Sequence, residues 1–235
     1  MSMFSAEEKR ARSTWLLAFG DVITLLITFF ILLIALNQTQ ASRLQQWGDE
    51  QLRLAYAEMA EQLANQDLQM ISLKRTPQGI WLQIHSAQAF AVGDYRPSQS
   101  LLEELNYLGI LLQENRLFRL AEMPQEQAVL AFAAQQGLEW HAEISIEGHT
   151  DNTPILANSP LYNNWFLSTM RAQAVFEPLQ QSSQLAAHYF VIAGLGEHQP
   201  LAKNDNDAAR QRNRRIDLFI SAGFSLRQVG AYVAP

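Results

Sequence analysis

Apolar positions fall along this chain in three rhythms, and each predicts a different kind of element. The first is unbroken. Trp15–Leu36 reads WLLAFGDVITLLITFFILLIAL, and about 22 residues of helix suffice to cross roughly 30 Å of hydrocarbon. The second alternates steps of four and three through Leu52, Tyr56, Met59, Leu63, Gln66, Met70 and Leu73. That is the seam of a coiled coil with Gln66 as a polar, register-fixing position, or the buried stripe of an ordinary helix packed on its own domain. A helix over 43–73 makes a stalk about 46 Å long, ended by the turn Pro77-Gln78-Gly79.

The third rhythm is strand-like. Ile80, Leu82 and Ile84 alternate with polar partners, as do Ile144 and Ile146 within 142–147, and Ile216, Leu218 and Ile220. Residues 189–195 read as a buried strand closed by Gly194 and Gly196. Helices are expected over 101–112, 164–180 and 205–213. A short one is bracketed by Pro124 near its first position and Gly137 past its end. Strands alternating with helices over about 140 residues predict a two-layer α/β domain. The chain therefore divides into a tail (1–14), a membrane helix (15–36), a helical connector (37–76), the α/β domain (77–223) and a C-terminal tail (224–235).

Charge changes the picture at one point inside the span. Asp21 lies in its first third with no compensating Lys or Arg, and Thr24 and Thr28 share its face at i+3 and i+7. Ile23, Ile27, Phe30 and Ile34 occupy the other face. An acid at that depth costs several kcal/mol unless it faces a bundle interior or a wet path. It is either a structural hydrogen-bonding group between helices or a carboxylate that binds and releases a cation. Lys9, Arg10 and Arg12 precede the span and residues 37–41 carry no charge, so the positive-inside rule keeps the N-terminus cytoplasmic and exports the rest. The run is longer than a signal peptide's apolar core, carries Asp21 and meets no clear A-x-A site, which favours an uncleaved anchor.

Composition excludes more than it assigns. The net charge is −6 and the one basic cluster is Arg210–Arg215, so nucleic acid is not an expected partner. Cysteine is absent, which removes disulfides and thiolate metal sites. Five histidines form no H-E-x-x-H, and neither G-x-S-x-G nor a phosphate-binding glycine loop occurs. His149 and Asp151 could be two metal ligands but have no third. No enzyme activity, metal or cofactor is expected.

Four stretches, ISIEGHTDNTPI, NNWFLSTMRAQAV, Gly194-Leu195-Gly196-Glu197-x-x-Pro200 and RNRRIDLFI, resemble in order and spacing the peptidoglycan-binding domain shared by OmpA, Pal and MotB. The span resembles the MotB-type segment in which Trp, Asp, Thr and Phe-Phe recur. Together they resemble the stator B subunits of ion-driven motors. The resemblance implies a single N-terminal transmembrane helix, a helical stalk and an OmpA-like two-layer α/β domain.

It also implies a partner and a site. The wall's diaminopimelate stem peptide offers an ammonium and a carboxylate, and the family meets them with an acid and a base. These fall on Asp151 and Arg171, with Asn164 and Leu167 at the other pocket positions, while Arg214 and Arg215 support the loop. In the membrane, Asp21, Thr24 and Thr28 would serve ion translocation, with two copies of the chain inside a ring of five multi-span A-type subunits. The ion, H⁺ or Na⁺, stays open. Phe166 stands where the family usually has Glu, and residues 115–140 are longer than the usual connection. The gap of about 40 residues between span and domain is shorter than in many flagellar B subunits. It leaves both a flagellar motor and the motor of a Zorya-type phage-defence system as settings. A passive wall tether without ion transport is the alternative function.

Overall fold

The structure is a computed structural model that describes residues 6–66, 68–91, 93–155 and 160–226. Residues 1–5 and 227–235 of the two tails, and the side chains of Lys9, Arg10 and Arg12 on which the orientation rests, lie outside the described residues. The chain forms two compact units, Met1–Gln46 and Trp47–Pro235.

The first unit lies within helix α1, Ala6–Ala64. Thr14–Ala35 is long and apolar enough to span a membrane, with a mean hydropathy of 2.6, and none of it is buried within the protein. Helix continues through the polar residues 37–42, ahead of the start expected at 43.

In the second unit α1 runs on to Ala64, and Asn65 caps it by donating its amide to the Glu61 carbonyl at 3.0 Å. The stalk over 43–73 is therefore corrected. Its last segment, Ile71–Thr76, is strand β1, which pairs antiparallel with β2, Gly79–His85. Two observations explain the change. β-Branched Ile71 and Thr76 bound a segment that the two-residue loop Pro77-Gln78 folds back on Ile80–Ile84, with Thr76 Oγ1 bonded to both Gly79 N and Gly79 O. The buried carboxylate of Glu104 then takes the backbone N–H groups of Gln69 and Met70 and ends the connection. The seam is correspondingly the stripe of a packed helix: Leu52, Ala55 and Met59 lie in the domain core, with Tyr56 and Leu63 against it. Met70 and Leu73, the last seam positions, belong to the sheet side of that core.

The remaining elements follow in order: α2 (Ser86–Ala89), α3 (Gln99–Glu114), α4 (Arg116–Arg119), α5 (Gln127–Gln135), β3 (Leu138–His149), α6 (Asn164–Ser183), β4 (Phe190–Gly196), α7 (Asp207–Asn213) and β5 (Arg215–Leu226). The sheet order is β1-β2-β5-β3-β4, with β3 and β4 parallel and every other pair antiparallel. Helix α6 is the crossover that a parallel pair requires. Alternation puts Ile80, Leu82, Ile84, Ile144, Ile146, Ile216, Leu218 and Ile220 into one core with Leu101, Leu105, Leu108 and Leu112 of α3 and Ala172, Val175 and Leu179 of α6.

Two smaller expectations change. Pro124 is not at the start of α5; two tight turns, Met123 N to Leu120 O and Glu126 N to Met123 O, come first, and the cap is Glu126. β4 is not a buried strand but a half-exposed edge with one neighbour, and Val191 is 43% exposed.

Candidate functional site

The site forms where the parallel pair β3 and β4 ends, the usual place for ligands in open α/β sheets. Two glycines allow α6 to lie directly on that end. A Cβ on Gly148 would come within 2.0 Å of the Ser168 carbonyl oxygen, and one on Gly194 within 2.0 Å of Thr169 Oγ1. Ser168 Oγ accepts from Gly196 N at 3.0 Å, and Thr150 N donates to Gly196 O at 2.9 Å. Helix and both strand ends are thus tied together by one side-chain and one backbone hydrogen bond.

Asp151 follows directly. Its carboxylate is 5% exposed, accepts from Thr153 N at 2.8 Å through Oδ1, and forms an ion pair with Arg214 through Oδ2. Burial works to raise its pKa, but the bonds from Thr153 and Arg214 outweigh it and hold the carboxyl below its ordinary range. Asn163 caps α6 by accepting from Phe166 N at 2.8 Å. Asn164, the first residue of the helix, donates its amide to the carbonyl oxygens of Asp151 (3.3 Å) and Thr153 (3.0 Å) and to Glu197 Oε2 (3.0 Å). It joins the loops after β3 and β4. Leu167 is buried one turn later.

Arg171 is one further turn along, 3% exposed. Its Nε donates to the Asp94 carbonyl at 2.9 Å, and the guanidinium carbon sits 5.1 Å from the Phe90 ring centroid. Burial, then the neighbouring Arg214, pull its pKa down to about 10, against the attraction of Asp151 and Asp94. It remains a cation at neutral pH. Asp151 and Arg171 feel each other's charge but form no ion pair. An acid and a base thus stand near one another without neutralising each other, and the carboxylate still has acceptor capacity beyond its bonds from Thr153 and Arg214.

Beneath the loop lies a second network. Asp217 Oδ2 accepts from Arg215 Nε at 2.8 Å and lies 3.3 Å from His149 Nε2, while Oδ1 accepts from Gln83 at 3.0 Å. His149 therefore faces inward and Asp151 pairs with Arg214, so the two do not converge as metal ligands. Among the described residues no group of three metal-ligating side chains occurs. Arg214 and Arg215 both support the loop, by different partners. Sequence reasoning missed Phe90 and Asp94, for which no local signal exists, and gave no role to Glu197 although it lies within a recognised run.

In the first unit, Thr24 Oγ1 donates to the Asp21 carbonyl at 2.8 Å, and Thr28 Oγ1 to the Thr24 carbonyl at 2.7 Å. Both hydroxyls spend their proton on the helix and keep oxygen lone pairs on the face of Asp21.

The chain thus joins a helix long and apolar enough to cross a membrane to an α/β domain with its polar site at the ends of two parallel strands. The OmpA family model matches residues 121–214, and a model described as Membrane MotB of proton-channel complex MotA/MotB matches residues 5–50. Motility protein B of Bacillus subtilis (strain 168) is 43% identical over 77 residues, 33% of this chain and 29% of that protein. Motility protein B of Helicobacter pylori (strain ATCC 700392 / 26695) is 24% identical over 229 residues, 90% of this chain and 86% of that one. A crystal structure of a MotB-like protein from Desulfovibrio vulgaris superposes with a TM-score of 0.59 at 24% identity, over 76% of this chain and 98% of that one, and shares the fold. The MotB model thus matches the N-terminal helix, and the OmpA model matches the later part of the α/β domain. Its first unit carries one helix long and apolar enough to span a membrane, and its second is an α/β domain that the OmpA model matches in part.

Proposed function

We propose that this chain anchors an ion-driven motor to the cell wall and that Asp21 carries the ion. The observation that supports it best is the occurrence, in one chain, of an acid within a helix long and apolar enough to span a membrane and of the Asp151–Arg171 site. Asp21 takes a cation from the exported side, which removes the net charge that hydrocarbon penalises, and releases it toward the cytoplasm as the partner subunits move. Thr24 and Thr28 supply oxygen to the same path for either H⁺ or Na⁺. One acid on one helix encloses no path by itself. Two copies of the chain within five MotA-type subunits complete it.

At the wall, Asp151 receives the ammonium and Arg171 the carboxylate of one diaminopimelate residue. Leu167 backs the pocket, and Asn164 holds the two loops in register. The domain is periplasmic and the N-terminus cytoplasmic; because the chain has no cysteine, a single Ser225→Cys reports this cleanly. An impermeant maleimide should label it in cells with a permeabilised outer membrane, and protection from the reagent would reverse the orientation.

Asp21→Asn should insert and assemble with its multi-span partner yet give no motor output. Output equal to wild type would leave Asp21 as a helix-packing group and the chain as a tether. Deleting the gene and scoring swimming and phage plaque formation separates the flagellar setting from the defence one.

A further inference from the structure

Beside the charged pocket lies a surface that the stem peptide does not need. Tyr162, Trp165 and Phe166 are 78%, 65% and 40% exposed, all within five residues around the start of α6. Their aliphatic neighbours Leu161 and Leu167 are buried, so the exposed apolar area is made of aromatic rings. Tyr162 adopts a left-handed backbone with φ 52°, a conformation that costs a bulky residue energy. Its ring packs edge to face on Phe166 with centroids 5.5 Å apart. The backbone of Trp165 is held by the close approach of Gly196, where a Cβ would lie 3.3 Å from Trp165 N. The rings are therefore displayed outward on a fixed frame.

The rim is continuous with the pocket, because Asn164 lies between Asn163 and Trp165 and bonds Asp151, Thr153 and Glu197. Its chemistry is also uniform. From Asn152 to Met170 there is no Asp, Glu, Lys or Arg, although the charged pair flanks the stretch on both sides. Exposed rings with amide side chains and no charge suit neutral, hydroxyl- and amide-bearing sugar rings. Sugar C–H groups lie on the electron-rich ring faces, and Asn152 and Asn163 are exposed for hydrogen bonding. Within this stretch a phosphate-bearing or acidic ligand would meet no cation, and the Glu197 carboxylate beside Asn164 adds negative charge at its edge.

We infer that Tyr162, Trp165 and Phe166 form a second subsite that holds the sugar rings of the wall glycan next to the stem peptide bound at Asp151 and Arg171. This rests on the wall-binding reading and assigns the part of the polymer that the charged pair does not touch.

The test compares two soluble ligands on the full chain in detergent micelles, by calorimetry. One is a diaminopimelate-containing stem tripeptide alone; the other is the same peptide on its N-acetylated disaccharide. Wild type should bind the disaccharide-peptide about tenfold more tightly, the size expected for one or two ring contacts. The Tyr162→Ala/Trp165→Ala double variant should lose that difference while binding the bare peptide as wild type does, which also shows that it is folded. Equal affinity of wild type for the two ligands would overturn the subsite, as would a variant that keeps the tenfold preference. If wild type binds neither ligand, the wall-binding reading fails and the subsite with it; binding of the bare peptide without preference removes the subsite alone.

Discussion

Gly148 lies so close to Ser168 that a methyl group on it would overlap the Ser168 carbonyl oxygen, at 2.0 Å. The contact is backbone against backbone, so no side chain can rotate away. It sets the distance between the strand that leads into Asp151 and the helix that carries Arg171.

Gly148→Ala should therefore displace α6 as a body. Overpacking of this kind costs on the order of 1–3 kcal/mol or more, a fall of several degrees in Tm for a domain this size. Peptidoglycan co-sedimentation should drop with it. Gly223→Ala, where a Cβ meets nothing within 4 Å, is the control and should leave both unchanged.

Asp151→Ala and Arg171→Ala should each weaken stem-peptide binding by roughly 2–5 kcal/mol, because each leaves one ligand charge desolvated and unpaired. The double variant should lose less than the sum. Arg171→Lys keeps the charge but not the planar fork that reaches Asp94 while facing the ligand, so it should not restore binding. Wild-type pull-down by both alanine variants would place the pocket elsewhere.

Stability should depend on acid through Asp217 and Asp151. Burial alone would raise the Asp217 carboxyl, and its bonds from His149, Arg215 and Gln83 hold it below the ordinary range instead. Folded protein thus binds fewer protons than unfolded chain near the usual carboxylate pKa of about 3.9. The stabilisation is complete above that value and is lost as pH falls through the depressed folded values. Thermal melts between about pH 5 and pH 2 should show it, and Asp217→Asn should flatten the slope. At neutral pH that variant should cost about 3–5 kcal/mol, since Arg215 is left buried without its partner.

Arg116 donates to Gln51 (3.0 Å), Glu58 (3.1 Å) and Glu126 (3.2 Å). Two of the three partners are carboxylates, and Glu58 is half exposed, so Arg116→Ala should cost only about 1–3 kcal/mol. The loss should be local. Amide exchange should accelerate in 47–64 and around 126 while the protection of β3 and β5 is unchanged; uniform acceleration would show that the clamp is part of the global core.

Alternation in sequence made three of the five strands readable, because Ile80–Ile84, Ile144–Ile146 and Ile216–Ile220 carry one buried face each. β1 was hidden by coincidence: Met70 and Leu73 continue the four-three spacing of the preceding helix, and only Glu104, thirty-odd residues later, captures the backbone before them. The loop that holds Arg171 was illegible for the same reason. Asp94, 77 residues from Arg171, contributes a carbonyl oxygen, which any residue has, and Phe90 a ring whose position over the guanidinium depends on a comparably distant part of the chain. Asp151, Asn164 and Arg171 could be read because they sit in contiguous runs whose order is itself the signal.

Trp47 meets Trp140 at 5.4 Å and Phe224 at 5.5 Å, and Arg116 grips the same helix further along. Tension arriving from the N-terminal side therefore enters the domain at these side chains. The hairpin β1–β2, an edge that would peel open one hydrogen bond at a time, lies behind that grip and is shielded from the load. Because the aromatic cluster joins α1 directly to β3 and β5, force passes to the two longest strands, and β3 delivers it at its far end to the loop proposed to hold the wall.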